Sequence, residues 1–157
     1  YGMVYMRLVR KEVQQVYERG SQFTIGKAVR VREGSDATII ASGFCVAEAI
    51  RAAELLAQEG VSVRILDMFT WKPLDREAIL SAAAETGAIV TAENHNVING
   101  LGAAVAEVLV RERPVPVEMV GVQDEFGEVG KLAYLAERFG LKAENIADAV
   151  RRVLKRK

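Results

Sequence analysis

The chain has 157 residues with 50% hydrophobic content, the length of one domain with enough apolar material for a sizeable core, which excludes a disordered chain. Lys plus Arg and Asp plus Glu both number 21, so the formal net charge is zero and no global field draws in nucleic acid or an anionic membrane. No apolar run reaches the roughly 20 residues of a bilayer span, and the first residues lack the basic, apolar and small segments of a signal peptide.

In chain order, Val4 to Leu8 reads as a short strand, and the polar stretch from Arg10 to Gln22, with Gly20 and Ser21, reads as a linker. The chain starts at Tyr1 and enters a strand-like run at once, which carries the expectation that it is part of a longer polypeptide. Ala28 to Arg32 and Ala37 to Ser42 are β-rich runs separated by Glu33, Gly34, Ser35 and Asp36. Those turn residues predict a hairpin and hence an antiparallel pair in a mixed sheet. From Phe44 to Gln58, Val46, Ala49, Ile50, Ala53, Leu56 and Ala57 recur at helical spacing up to Gly60.

Val61 to Met68 is the next expected strand, followed by a helix from Arg76 to Thr86 that Pro73 and Asp75 open and Gly87 closes. Ala88 to Ala92 reads as a strand, Gly102 to Arg111 as a helix, and Val117 to Val122 as a strand after Pro114 and Pro116. Two further helices are expected, from Lys131 to Phe139 and from Glu144 to Lys155. This alternation predicts an α/β fold with right-handed crossovers and a largely parallel sheet.

Open α/β sheets place contacts at the carboxyl ends of their strands, which singles out Glu93, Asn94, His95 and Asn96, expected on a loop after the strand ending at Ala92. His95 is the only histidine. Beside Glu93 it has the elements of an acid–base pair, but no nucleophile or second histidine accompanies it, so a contact loop is the plainer reading. Gly100 and Gly102 lack the third glycine of a dinucleotide fingerprint and read as close-packing residues. Asp124, Glu125 and Glu128 could offer oxygens to a cation, yet Phe126, Gly127 and Gly130 read as a packed turn.

Cys45 has no histidine nearby in sequence and reads as a structural thiol in a reducing, cytoplasmic compartment. The basic end, Arg151, Arg152, Lys155, Arg156 and Lys157, fits a helix C-terminus better than a nucleic-acid patch. Arg7 and Arg10 follow the first expected strand. Spacing leaves open whether they clamp a phosphate or carboxylate or are solvated linker charges.

Taken in order, VYMRLVR, FTIGKAVRVREGSDATIIASG, AEAIRAAELLAQEGVSVRILDM, KPLD, IVTAENHNVINGLGAAVAEVL, DEFGEVG and FGL resemble the C-terminal part of transketolases, most of all the C-terminal subunit of split bacterial and archaeal forms. The resemblance covers nearly the whole chain. The β subunits of 2-oxo-acid dehydrogenases and deoxyxylulose-phosphate synthases share the REGSD-like and glycine-loop features, while ENHNVINGLG and DEFGEVG are nearer to transketolase. Val129 stands where that family often has serine, and Asn94 where a second acidic residue is common.

The resemblance implies a three-layer α/β/α domain with a mixed five-stranded sheet, one strand antiparallel. It divides the chain into residues 1–22, the last strand of a pyrimidine-binding domain plus linker, and residues 23–157, the C-terminal domain. It implies thiamine diphosphate and Mg held by domains outside this chain, transfer of a two-carbon ketol unit between sugar phosphates, and no catalytic or cofactor-binding residue here. Arg10 matches a family arginine that contacts the substrate phosphate, while Glu93 and His95 belong to an interface or accessory loop. The implied partners are the thiamine-binding domains or subunit of the same enzyme, in a homodimer or larger assembly. The alternatives are the β subunit of a 2-oxo-acid decarboxylase component and a non-catalytic regulatory or assembly module.

Overall fold

A computed structural model describes residues 2–9 and 14–157. Five strands, β1 (Val29–Arg32), β2 (Ala37–Ala41), β3 (Val63–Asp67), β4 (Ile89–Asn96) and β5 (Val117–Val122), form one sheet in the order β1-β3-β2-β4-β5. Helices α1 (Cys45–Gln58), α2 (Arg76–Thr86), α3 (Leu101–Glu112), α4 (Leu132–Arg138) and α5 (Ala143–Leu154) complete the described elements. β2 pairs in parallel with β3 and β4, β4 with β5, and β1 alone runs antiparallel, against β3.

The central strands are apolar on both faces because helices cover both faces. Ile39, Ala41, Val63, Ile65, Val90 and Ala92 pack against α1 and α5. Ile40, Leu66 and Ile89 point the other way, onto Ile79 and Ala82 of α2 and Leu101, Val105 and Leu109 of α3. The result is the expected three-layer α/β/α arrangement with a mixed five-stranded sheet. The helix limits follow the sequence signals closely. Asp75 accepts a hydrogen bond from the Ala78 amide to start α2, and Gly87, at φ 66°, ends it in the left-handed region.

Two expectations fail. β1 and β2 are not a hairpin, because β3 lies between them. Ser35 and Asp36 donate their amides to the Ser62 carbonyl at 3.1 and 2.8 Å, so the connection passes over the start of β3 instead of turning back beside it. All five residues of β2 are buried, which calls for a neighbour on each edge and a helix on each face; a strand of a two-stranded ribbon has neither. The expected strand at Val4–Leu8 is also absent: residues 2–9 join no ladder. A strand needs a hydrogen-bonding neighbour, and the resemblance assigns this segment to a pyrimidine-binding domain whose other strands lie outside this chain.

The crossing at residues 33–36 explains Gly34. A Cβ there would lie 2.1 Å from the Val63 carbonyl carbon and 2.3 Å from the Arg64 nitrogen, both backbone atoms that cannot swing aside. Gly34→Ala is expected to cost about 3 kcal/mol by forcing this connection off the sheet, read as a lower urea midpoint with little change in slope.

Candidate site at the carboxyl edge of the sheet

β2 leads through α1 to β3 on one side, and β3 leads through α2 to β4 on the opposite face, so the chain reverses direction across the sheet between β2 and β4. In open α/β sheets the crevice at that reversal, outside the carboxyl ends of the strands, is the favoured ligand position. Here the turn after β2 meets the end of β4: a Cβ at Gly43 would lie 3.3 Å from Asn94 Oδ1.

Glu93–Asn96, expected on a loop, continue β4 instead. The ladder with β5 is irregular there: Ala92 pairs with Val120 and Asn96 with Val122, so three β4 residues stand opposite Gly121 alone. A bulge of this kind re-aims side chains at the end of a strand. It turns Glu93 beneath the edge, where it has no exposed surface. Its two carboxylate oxygens accept from the Leu101 amide at 2.7 Å and the Gly102 amide at 2.8 Å, the first two amides of α3. Those amides have no partners inside the helix, and the helix dipole adds partial positive charge at that end. The anion attracted by the α3 N-terminus is thus the protein's own side chain.

The glycines around this carboxylate are spacers, as expected. A Cβ at Gly100 would sit 2.2 Å from Glu93 Oε2, and one at Gly102 would meet Met119 Sδ and Thr91 Oγ1, both at 2.8 Å. Burial pushes the Glu93 carboxyl above the ordinary glutamate range, against the opposing pull of the Gly102 and Leu101 amides and the charges of His95 and Arg7.

His95 is held from three sides. Its Nδ1 lies 2.8 Å from the Asn96 carbonyl and 4.0 Å from Glu93 Oε2, and the Trp71 ring meets the imidazole edge-on, with centroids 5.6 Å apart. A proton on Nδ1 satisfies the carbonyl and leaves Nε2 as an acceptor. The side chain is 40% exposed, so His95 is the member of the expected pair that can meet another molecule, whereas Glu93 is committed inside the fold.

The structure adds residues that the sequence reading did not place here. Arg7 Nη2 donates to the Asn94 carbonyl at 2.6 Å, across 87 residues of chain. The Tyr17 hydroxyl donates to Asp67 Oδ2 at 2.8 Å, and Tyr17 packs edge-on against Phe23, which packs likewise on Phe69. Asp67 is buried at the end of β3 with Oδ1 lacking a partner, and burial raises its carboxyl pKa more than the Tyr17 hydrogen bond lowers it. The one sequence signal for Asp67 is a carboxylate ending an apolar run. Its partner, 50 residues away, has no local signature.

Other candidates separate from this edge. Cys45 is fully buried at the start of α1, and burial pushes its thiol well above the ordinary range, which agrees with a structural role. Glu125 and Glu128 both pair with Arg138 at 2.8 Å, and Asp124 accepts from Asn96 Nδ2 at 3.4 Å. With Glu93 on α3 and Asp67 on Tyr17, these carboxylates do not form the open oxygen set that a metal-bound diphosphate needs. Among the described residues no three His, Cys, Asp or Glu side chains are grouped to hold a metal ion. At the basic end, Arg151 pairs with Glu59 and Asp148, and Arg152 and Arg156 with Glu118. Arg10 lies outside the described residues.

Glu93→Gln places an amide –NH2 against one of two backbone donors, so a loss of about 2 kcal/mol is expected. The raised carboxyl also predicts the pH trend. Through the range above about 4.5 the unfolded chain releases the Glu93 proton before the folded one does, so wild-type stability falls as pH rises there. The variant lacks this contribution, and the stability gap between the two proteins narrows with rising pH in urea titrations.

Residues 26–146 match the family model for the transketolase C-terminal domain. The 6-deoxy-6-sulfo-D-fructose transketolase subunit of Clostridium sp. (strain MSTE9) is 51% identical over 99% of this chain and 48% of its own length. A subunit of the apulose-4-phosphate transketolase of Phocaeicola vulgatus is 44% identical over 91% of this chain and 46% of its own. A solved structure described as a split gene transketolase, inactive beta4 tetramer, superposes with a TM-score of 0.90 at 45% identity, covering 94% of this chain and 48% of that one. The chain spans about half the length of these relatives. On its sequence, its sheet order and its packed glycine-rich β4–α3 unit, the chain belongs to the transketolase C-terminal domain family.

Proposed function

We propose that this chain is the C-terminal portion of a thiamine-diphosphate-dependent transketolase that transfers a two-carbon ketol unit between sugar phosphates, and that it serves assembly and substrate positioning rather than cofactor chemistry. The observation that carries this is the match of residues 26–146 to the transketolase C-terminal domain, with likeness across nearly the whole chain to proteins named as transketolase subunits. Glu93 is bound to the N-terminus of α3 and Asp67 to Tyr17, so neither is presented to an outside cofactor. Thiamine diphosphate and its Mg then belong to the other half of the enzyme, as further domains or as a separate subunit, in a dimer or larger assembly, in the cytoplasm. The bound thiazolium supplies the electron sink for ketol transfer.

The substrate contact in this chain is Arg10, whose guanidinium suits bidentate binding of a terminal phosphate. His95 faces a neighbouring domain or subunit through its exposed edge. The similarity to a subunit named for 6-deoxy-6-sulfo-D-fructose makes a sulfonate a second candidate for the terminal anion, since it offers Arg10 a similar set of acceptor oxygens.

The test is the complete enzyme with thiamine diphosphate and Mg. Xylulose 5-phosphate plus ribose 5-phosphate should give sedoheptulose 7-phosphate, with 6-deoxy-6-sulfo-D-fructose as the competing donor. Absence of ketol transfer from both donors overturns the proposal. Arg10→Ala is expected to raise the KM for the phosphorylated donor about 10-fold or more, the scale of one lost charged hydrogen-bonding pair, with thiamine diphosphate affinity little changed. An unchanged KM removes Arg10 from the site.

A further inference from the structure

The large apolar side chains that the folded domain leaves exposed are unevenly placed. Beyond residues 2–9, Phe23 and Ile25 before β1, Ile98 after β4, and Phe126 and Val129 after β5 lie on segments at the carboxyl edge, where the antiparallel β1 starts. Among the described residues, the connections at the amino edge, 33–36, 59–62, 87–88 and 113–116, expose none. Phe126 and Val129 are the extreme case, at 98% and 104% exposure. Two such side chains on one short loop mark a contact surface, unlike hydrophobic residues scattered singly.

The loop that carries them is fixed from behind. Arg138 of α4 donates to Glu125 Oε2 and Glu128 Oε1, both at 2.8 Å, and the Tyr134 hydroxyl donates to Glu128 Oε2 at 2.9 Å. The Arg138 guanidinium in turn lies 5.0 Å from the centre of the Phe139 ring. The glutamates are thus committed to the loop's own support, while its two apolar side chains meet nothing in this domain. A partner finds them already in place, so little freedom is lost when it binds.

The occupant follows from the segment that precedes the sheet. Residues 2–9, assigned by the resemblance to the last strand of a pyrimidine-binding domain, are joined to the end of β4 by the 2.6 Å bond from Arg7 Nη2 to the Asn94 carbonyl. Two residues on, Asn96 Nδ2 donates to Asp124 Oδ1 at 3.4 Å, which sets the 123–130 loop beside the same strand end. A domain that contains residues 2–9 therefore stands over the carboxyl edge, next to this loop. The relatives described above are about twice as long as the span matched here, room enough for such a domain. Being tethered, it meets the loop at a high effective concentration that a second copy of the chain does not have.

We propose that the 123–130 loop is a preformed docking face for the pyrimidine-binding domain, with Phe126 and Val129 as its apolar anchors. This rests on the reading of the chain as the C-terminal portion of a transketolase. An aromatic side chain at the centre of such a contact carries a large share of its energy.

The test uses the complete enzyme carrying Val129→Cys and reads thiol labelling of that position by peptide mass spectrometry; the native Cys45 is buried and does not interfere. Labelling should be about 100-fold or more slower than in the same protein unfolded in urea, because a covered thiol reacts only when the contact opens. Adding Phe126→Ser should speed it about 10-fold by removing the aromatic anchor. A photoreactive amino acid placed at position 129 should cross-link to peptides that precede residue 1. Labelling at the unfolded rate, or cross-links only to another subunit or to a second copy of this loop, overturns the docking face. Ketol transfer is measured on the wild-type enzyme in parallel. Its presence together with freely labelled Val129→Cys overturns the docking face alone, and its absence overturns the functional reading on which the docking face rests.

Discussion

The carboxyl edge of this domain is organised by one buried carboxylate on one helix end. Glu93 accepts the first two amides of α3 and thereby couples the end of a central strand to the helix that follows it. The cost of burying the charge is visible in its raised carboxyl pKa, and the helix N-terminus offsets part of that cost. Several other features exist to make room for this contact. The bulge on β4 aims the side chain, Gly121 faces the bulge, and Gly100 leaves the space that the carboxylate occupies.

Because the α3 N-terminus is filled from within, the reversal point between β2 and β4 behaves differently from the ligand crevice that its topology suggests. It acts as an anchoring surface for the polypeptide that precedes the sheet. Arg7 binds the Asn94 carbonyl, the Tyr17 hydroxyl binds Asp67, and the Gly26 and Ala28 amides are received by Thr70 and Asp75. The chain before β1 is thus tied by hydrogen bonds to β4, β3 and the segment before α2.

Local pattern and local structure agree wherever the signal is a period or a punctuating residue. The 3.6-residue spacing of Val46, Ala49, Ala53 and Leu56 places α1, Asp75 and Gly87 bound α2, and the Pro114–Pro116 stretch precedes β5. The same reasoning fails where two outcomes share one local pattern. Glu33–Asp36 has hairpin composition, yet the next strand takes the place between β1 and β2, and no residue within the turn encodes that insertion. The polar run Glu93–Asn96 reads as a loop because its residues are poor strand formers, and tertiary contacts hold it in a strand regardless.

The sequence by itself determined the α/β alternation, the limits of most helices, the family resemblance and the carboxyl edge as the place to look. Each of these depends on residue types within a few positions of one another, or on motifs in linear order. Tertiary structure alone decided that Glu93 is internal while His95 is accessible, and that Arg7 and Asp67 belong to the same edge. Those outcomes depend on partners 8 to 87 residues away, and on a difference of two residues in strand pairing between β4 and β5, which sequence spacing does not carry.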